Sequence, residues 1–178
     1  MSKKALFLMT SMFVSVQAIV AAKSTDHIGF KIQSDSSRIA ELNEYWGQLT
    51  RAVVEGDFEQ YRSGFHKDAV IVFASGDYKV SVPISKALKG WKQGFDDTRE
   101  GKIKVDVEFR FSQRIGDETT AHETGIFIYS SINNSSKSVE RFIIPFEMLL
   151  VKRNNKWYGM MEHQKPFATQ EEWDALNR

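Results

Sequence analysis

Cysteine is absent from this 178-residue chain. Its absence excludes disulfides, a cysteine nucleophile and a lipid carried on an N-terminal cysteine. An excess of either charge is also missing. The 24 basic and 23 acidic residues give a formal net charge of +1, and no basic stripe runs along any segment, so nucleic acid is not an expected partner. There is no Gly-x-Ser-x-Gly elbow and no glycine-rich phosphate loop. No His-x-His pair and no two-histidine-plus-carboxylate motif occurs, and His122, Glu147, Glu162 and His163 have no helical ligand spacing, so neither a metal nor another cofactor is expected.

What is present suits one soluble domain of ordinary size, with 42% hydrophobic and 26% charged residues. Residues Met1–Ala22 are a separate object. Lys3 and Lys4 precede an apolar middle from Ala5 to Met9 and from Met12 to Val14, and small residues close it. This is the layout of a secretory signal peptide, cut after Ala22 or after Ala18. Thr10, Ser11, Ser15 and Gln17 interrupt the apolar run, which disfavours an uncleaved membrane anchor. The expected location is therefore periplasmic or secreted, with no membrane contact after cleavage. Removing Lys3 and Lys4 leaves 22 basic against 23 acidic residues.

Lys23–Ser37 reads as a polar arm (residues 23–36) ending in a helix cap near Asp35–Ser37. The folded domain is assigned to residues 37–178. Ile39, Leu42, Trp46, Leu49 and Val53 recur at steps of three and four, one face of a helix that Gly56 stops. Asp57 caps a short second helix with Gln60 at capping-box spacing, and Phe58, Tyr61 and Phe65 give it an aromatic face. Ala69–Phe73 and Tyr78–Val82 read as short strands about a Ser75-Gly76-Asp77 turn. Pro83 can open a third helix, along which Ile84, Leu88, Trp91 and Phe95 share a face.

The remainder reads as four long strands. In Ile103–Ile115 the apolar positions Val105, Val107, Phe109 and Phe111 alternate with charged ones, the pattern of one buried and one wet face. Strands follow over Thr119–Ser130, Val139–Lys152 and Trp157–Lys165, with turns at Gly116-Asp117, 133–138 and 153–155. Pro145 should mark a bulge or an edge. Thr169 and Glu172 box the start of a last helix carrying Trp173 and Leu176. The expected fold class is α+β: a curved antiparallel sheet of about six strands under three helices, enclosing a cavity, with a short C-terminal helix.

Trp46, Ala52, Gly56-Asp57-Phe58, Tyr61, Phe65, Asp68-Ala69-Val70, the helix around Lys86–Phe95, and Lys156-Trp157 with His163 stand in an order and spacing that resembles the NTF2-like superfamily, in particular its SnoaL-like and DUF4440-type branches. The resemblance spans nearly all of the chain after the leader. It implies a cone-shaped α+β fold with an inner pocket, often a homodimer through the outer sheet face, in a family of isomerases, cyclases, dehydratases, epoxide hydrolases and pure binders. Ketosteroid-isomerase-like members carry a base and a phenol at positions that here hold Phe73 and Leu49, neither of which can do that chemistry. Some members carry a histidine six positions after the last-strand tryptophan, and His163 matches it.

Candidate site residues follow. By strict alternation His163 shares a strand face with Trp157, Gly159 and Met161, and it could shuttle a proton or simply end the sheet. Glu147 interrupts an apolar run; buried, its pKa would rise and make it an acid–base group, and otherwise it faces solvent. His122 and Glu123, being neighbours, face opposite sides. Tyr61, Phe65, Trp91, Phe109 and Phe127 are expected to line the cavity, as core or as pocket wall, and aromatic walls suit a small apolar or aromatic molecule. Three functions remain open: an exported small-molecule binder, a lyase or isomerase using His163 and perhaps Glu147, and a cell-envelope interaction module.

Overall fold

The computed structural model describes residues 24–75 and 79–176, with side chains from residue 35 onward. The segment Met1–Ala22, expected to be a leader, lies outside the described residues. The elements run α1 (Ser24–Glu55), α2 (Phe58–Ser63), β1 (Phe65–Phe73), β2 (Val80–Pro83), α3 (Ile84–Arg99), β3 (Ile103–Gly116), β4 (Thr120–Asn133), β5 (Val139–Arg153), β6 (Lys156–Gln164) and α4 (Gln170–Asp174). The six strands form one curved sheet in the order β2-β1-β6-β5-β4-β3. Five of its elements meet the expected α+β plan almost residue for residue: α3, β3, β4, β5 and β6.

Four local features depart from the sequence-based expectation. Helix α1 does not begin at a cap near Asp35–Ser37 but runs back to Ser24. No proline interrupts this stretch, and Asp35 pairs with Arg38 one turn on at 3.1 Å rather than capping. Phe65 opens β1 instead of ending α2, because Gly64 stops the helix after Ser63. The sheet is mixed, since β1 pairs with β6 in parallel; these strands are joined by no hairpin, so no turn forces them antiparallel. Finally, β6 does not alternate evenly. Leu150 faces Gly159 and Leu149 faces Met161, so Met160 is an extra residue in β6.

The core sits between the concave sheet face and the helices. On α1 it takes Leu42, Tyr45, Trp46, Leu49 and Ala52, all buried. Gly56, at φ +70°, breaks α1; a Cβ there would lie 2.6 Å from the Phe95 carbonyl oxygen, so α3 can cross closely only over glycine. The Asp57 side chain accepts from the Gln60 backbone N–H at 2.9 Å, and Thr169 and Glu172 complete their reciprocal box. Pro145 lies in the regular β4–β5 ladder. Its carbonyl accepts from Lys165 at 2.8 Å just past the end of β5–β6 pairing. Its missing N–H points the same way, off the ladder, where it breaks no strand bond.

A second bulge positions a buried ion pair. Between Phe111 and Gln113 the β3 register shifts, so Ser112 is extra and Arg114 comes opposite Glu123. Glu123 is fully buried and accepts from Trp46 Nε1 and from Arg114 Nε. Arg114 also donates to Asn43 Oδ1 at 2.6 Å, tying α1 to the sheet. On the convex face α4 seats Trp173 among Ile126 and Ile128, with the Arg110 guanidinium 4.1 Å from its ring centroid.

Candidate functional site

Alternation on each strand sends one set of side chains to the helices and the other to the convex face. On β3 the inward set includes Val105, Val107 and Phe109; on β4, Phe127 and Tyr129; on β5, Phe142, Ile144, Phe146 and Met148. Opposite them stand Trp46, Leu49 and Val53 of α1, Tyr61 of α2, and Trp91, Phe95 and Thr98 of α3. These groups do not close on one another. They leave an open cavity of about 400 Å³, a volume in the range of small-molecule sites. Gly90 and Gly94 of α3 form part of its rim, where an added Cβ would meet no atom within 4 Å.

The wall is aromatic and internally braced. The Phe146 ring lies 5.4 Å from Trp46, 5.7 Å from Phe109 and 5.9 Å from Phe127. Tyr61 stands edge-on to Trp91 at 6.0 Å and tilted against Phe95 at 5.0 Å. Such tilted and edge-on pairs hold a fixed wall rather than a collapsing one. Trp46 is further fixed by its bond to Glu123.

Among the residues that line the cavity one is charged: Glu162 of β6. It is 7% exposed. Burial pushes its carboxyl above the usual carboxylate range, with a hydrogen bond from Gln164 acting the other way. That bond, Gln164 Nε2 to Glu162 Oε1, is 2.7 Å long. The Tyr61 hydroxyl is raised too, first by burial and then by the nearby Glu162 charge. Tyr45 behaves likewise, and its hydroxyl donates to the Gly64 carbonyl at 3.2 Å.

Four of the five aromatic residues expected to line the cavity do line it: Tyr61, Trp91, Phe109 and Phe127. Phe65 does not. As a strand residue, not a helical one, it is buried in the core against Tyr61, and a Cβ on Gly159 would come within 3.0 Å of its ring. His163 and Glu147 are cross-strand partners on one face, and that face is the convex one. The reason is Met160. Trp157 and Gly159 point inward, the extra residue shifts the phase, and from there Glu162 and Gln164 point inward while Met161 and His163 point outward. The expectation that His163 shares the face of Trp157 and Gly159 is thereby corrected.

On the convex face Glu147 bonds to Lys165, and His122 Nε2 lies 3.9 Å from its other oxygen. The Lys165 bond holds the Glu147 carboxyl below its usual range, the reverse of a buried acid. Neither Glu147 nor His163 lines the cavity. His122 and Glu123 do face opposite sides, as neighbours on a strand must. Among the described residues no group of three or more histidine or acidic side chains is placed to hold a metal ion, and no helix is long and apolar enough to cross a membrane. In the sequence Glu162 figures only beside His122, Glu147 and His163, as a discounted metal ligand. The one local hint of its placement was Gly159 inside a strand, a common mark of a bulge.

No family model matches the sequence, and no curated protein sequence matches it either. Solved structures do match by shape. The beta subunit of benzoate 1,2-dioxygenase from Burkholderia mallei superposes with a TM-score of 0.60 at 10% identity, covering 72% of this chain and 89% of that one. A ketosteroid isomerase-like protein from Erwinia carotovora atroseptica gives 0.55 at 11%, covering 73% and 95%. An NTF-2 like protein of unknown function from Shewanella oneidensis gives 0.53 at 14%, covering 72% and 98%. At these identities the likeness is one of fold: the chain has the NTF2-like α+β architecture.

Proposed function

We propose that this NTF2-like chain is an exported protein that binds a small, flat, largely apolar molecule in the cavity of its concave sheet face. The observation that carries this reading is the open cavity of about 400 Å³ whose largely apolar wall holds one hydrogen-bonded polar pair, Glu162 and Gln164, beside the hydroxyls of Tyr61, Thr98 and Tyr129. An apolar wall supplies affinity, and a few fixed polar groups supply orientation. Export rests on the charged start and apolar middle of Met1–Ala22. Pairing through the convex face rests on the family resemblance, and Leu149, 39% exposed there, is compatible with it.

Catalysis by His163 on a cavity ligand is disfavoured, because His163 and its neighbour Glu147 stand on the other side of the sheet. A general base must come within hydrogen-bond reach of the proton it takes. An interaction module using only the outer face would leave the cavity without a role.

The test is calorimetric titration of the mature chain with 2-naphthylmethanol, a neutral bicyclic probe, alongside native mass spectrometry for a co-purifying molecule and for doubled mass. Binding with a Kd of about 10–100 µM is expected for a ligand of this size. Gly94→Leu, which narrows the rim, should weaken it several-fold. No heat in the wild type, together with a ligand-free mass, would refute the reading.

A further inference from the structure

The cavity carries one charge and that charge is negative. Lys and Arg side chains are missing from its lining, and lysines on the adjoining strands are held elsewhere: Lys165 by Glu147 on the convex face, Lys156 over the Tyr158 ring and Lys152 by Glu41. Three of its lining residues offer acceptor oxygens, and Tyr61 lies near enough to Glu162 to feel its charge. Glu162 supplies its carboxylate, Gln164 keeps its carbonyl oxygen free when its amide donates to Glu162, and Tyr61 brings a hydroxyl oxygen from α2. Among the described residues neither Glu162 Oε2 nor the Tyr61 hydroxyl has a hydrogen-bond partner, and neither is a sealed polar atom. Around them stand the faces and edges of Tyr61, Trp91, Phe95 and Phe109.

A lone buried carboxylate needs a counter-charge or it costs the fold free energy. Electron-rich ring faces attract a cation and repel an anion. An ammonium offers three donors and no acceptor, which suits these three acceptor oxygens. We infer that the cavity selects a cationic ligand, a protonated primary or secondary amine on a flat apolar body, with the ammonium against Glu162, Gln164 and Tyr61 and the body among the α3 and β3 aromatics. This deepens the binding reading and rests on it.

The proposal has a built-in pH dependence. The groups that face Glu162 are Tyr45 from α1 and Tyr61 from α2; Ile71 of β1 and Met148 of β5, its ladder partners, bring no titratable group, nor do Trp91 and Phe95 of α3. Burial favours the neutral acid in the empty cavity. A bound ammonium favours the carboxylate, so amine affinity rises with pH as Glu162 ionises.

The experiment compares 2-naphthylmethylamine, 2-naphthylmethanol and 2-naphthoate, which share one ring body and differ in the polar group, by calorimetry with the mature full chain. The expected order is amine tightest by about tenfold or more over the alcohol, with the acid weakest. The amine advantage should grow between about pH 5 and about pH 8 while the alcohol affinity stays flat. Glu162→Gln should bring amine and alcohol within about threefold of each other, with a cooperative thermal melt reporting that the variant is folded. The wild-type comparison stands even if that variant fails to fold. Alcohol binding equal to or tighter than amine binding overturns the selectivity and leaves the cavity reading intact. Binding of none of the three overturns both.

Discussion

Glu162 and His163 are adjacent in sequence and opposite in circumstance. Glu162 is 7% exposed, faces the aromatic cavity, and has its carboxyl pushed up by burial. His163 stands on the convex face beside Glu147, whose carboxyl is held down by Lys165. Two carboxylates on neighbouring strands of one sheet thus shift in opposite directions. Neither residue type nor sequence position decides this. The face does: one side of the sheet is roofed by three helices, and the other is open except where α4 covers it.

The comparison can be broken most violently just past the bulge. Deleting Glu162 leaves Met161 outward and brings His163 to the inward position opposite Met148, so a histidine enters the aromatic wall and Gln164 turns outward. The cost should be at least about 4 kcal/mol, or loss of folded protein, in urea unfolding. Next in size is the contrast in packing. Phe146→Ala empties a site 2% exposed between Trp46, Phe109 and Phe127 and should cost about 3–5 kcal/mol, whereas Leu149→Ala, at a position 39% exposed, should cost under about 1 kcal/mol. A reversed order would mean that the two faces have been misassigned.

Smaller effects separate the two carboxylates by pH. The folded state holds the Glu162 proton longer than the unfolded chain does. Its contribution to stability is therefore complete below the ordinary carboxyl range and is lost as pH rises through the raised value. Glu162→Gln should remove that slope and give a higher unfolding midpoint at neutral pH than the wild type. Glu147 has the opposite sign: its contribution is present above the ordinary range and is lost as pH falls through the lowered value. Because its side chain is 29% exposed and screened, Glu147→Gln should cost only about 0.5 kcal/mol at neutral pH and leave probe binding unchanged. Thermal melts across pH measure both.

The sequence carried the elements whose signals are local. The Asp57 and Thr169–Glu172 caps, the α1 stripe of Leu42, Trp46 and Leu49, and the β3 alternation from Val105 to Phe111 are visible as spacing, and the structure bears them out. Phase was not visible. A bulge is one residue with no composition of its own, and the bulges at Ser112 and Met160 each exchange the two faces for everything beyond them. For that reason four aromatic wall residues could be named from spacing, while the one cavity carboxylate could not. The parallel β1–β6 pairing is likewise set by tertiary packing, which no local pattern encodes.

The central claim is that the concave face is the binding face. Methionine methyl NMR tests it directly, because Met148 lines the cavity and Met161 stands opposite Leu149 on the convex side. On titration with 2-naphthylmethanol, ring currents should move the Met148 methyl and leave Met161 in place. Movement of Met161 with Met148 unchanged would contradict the account.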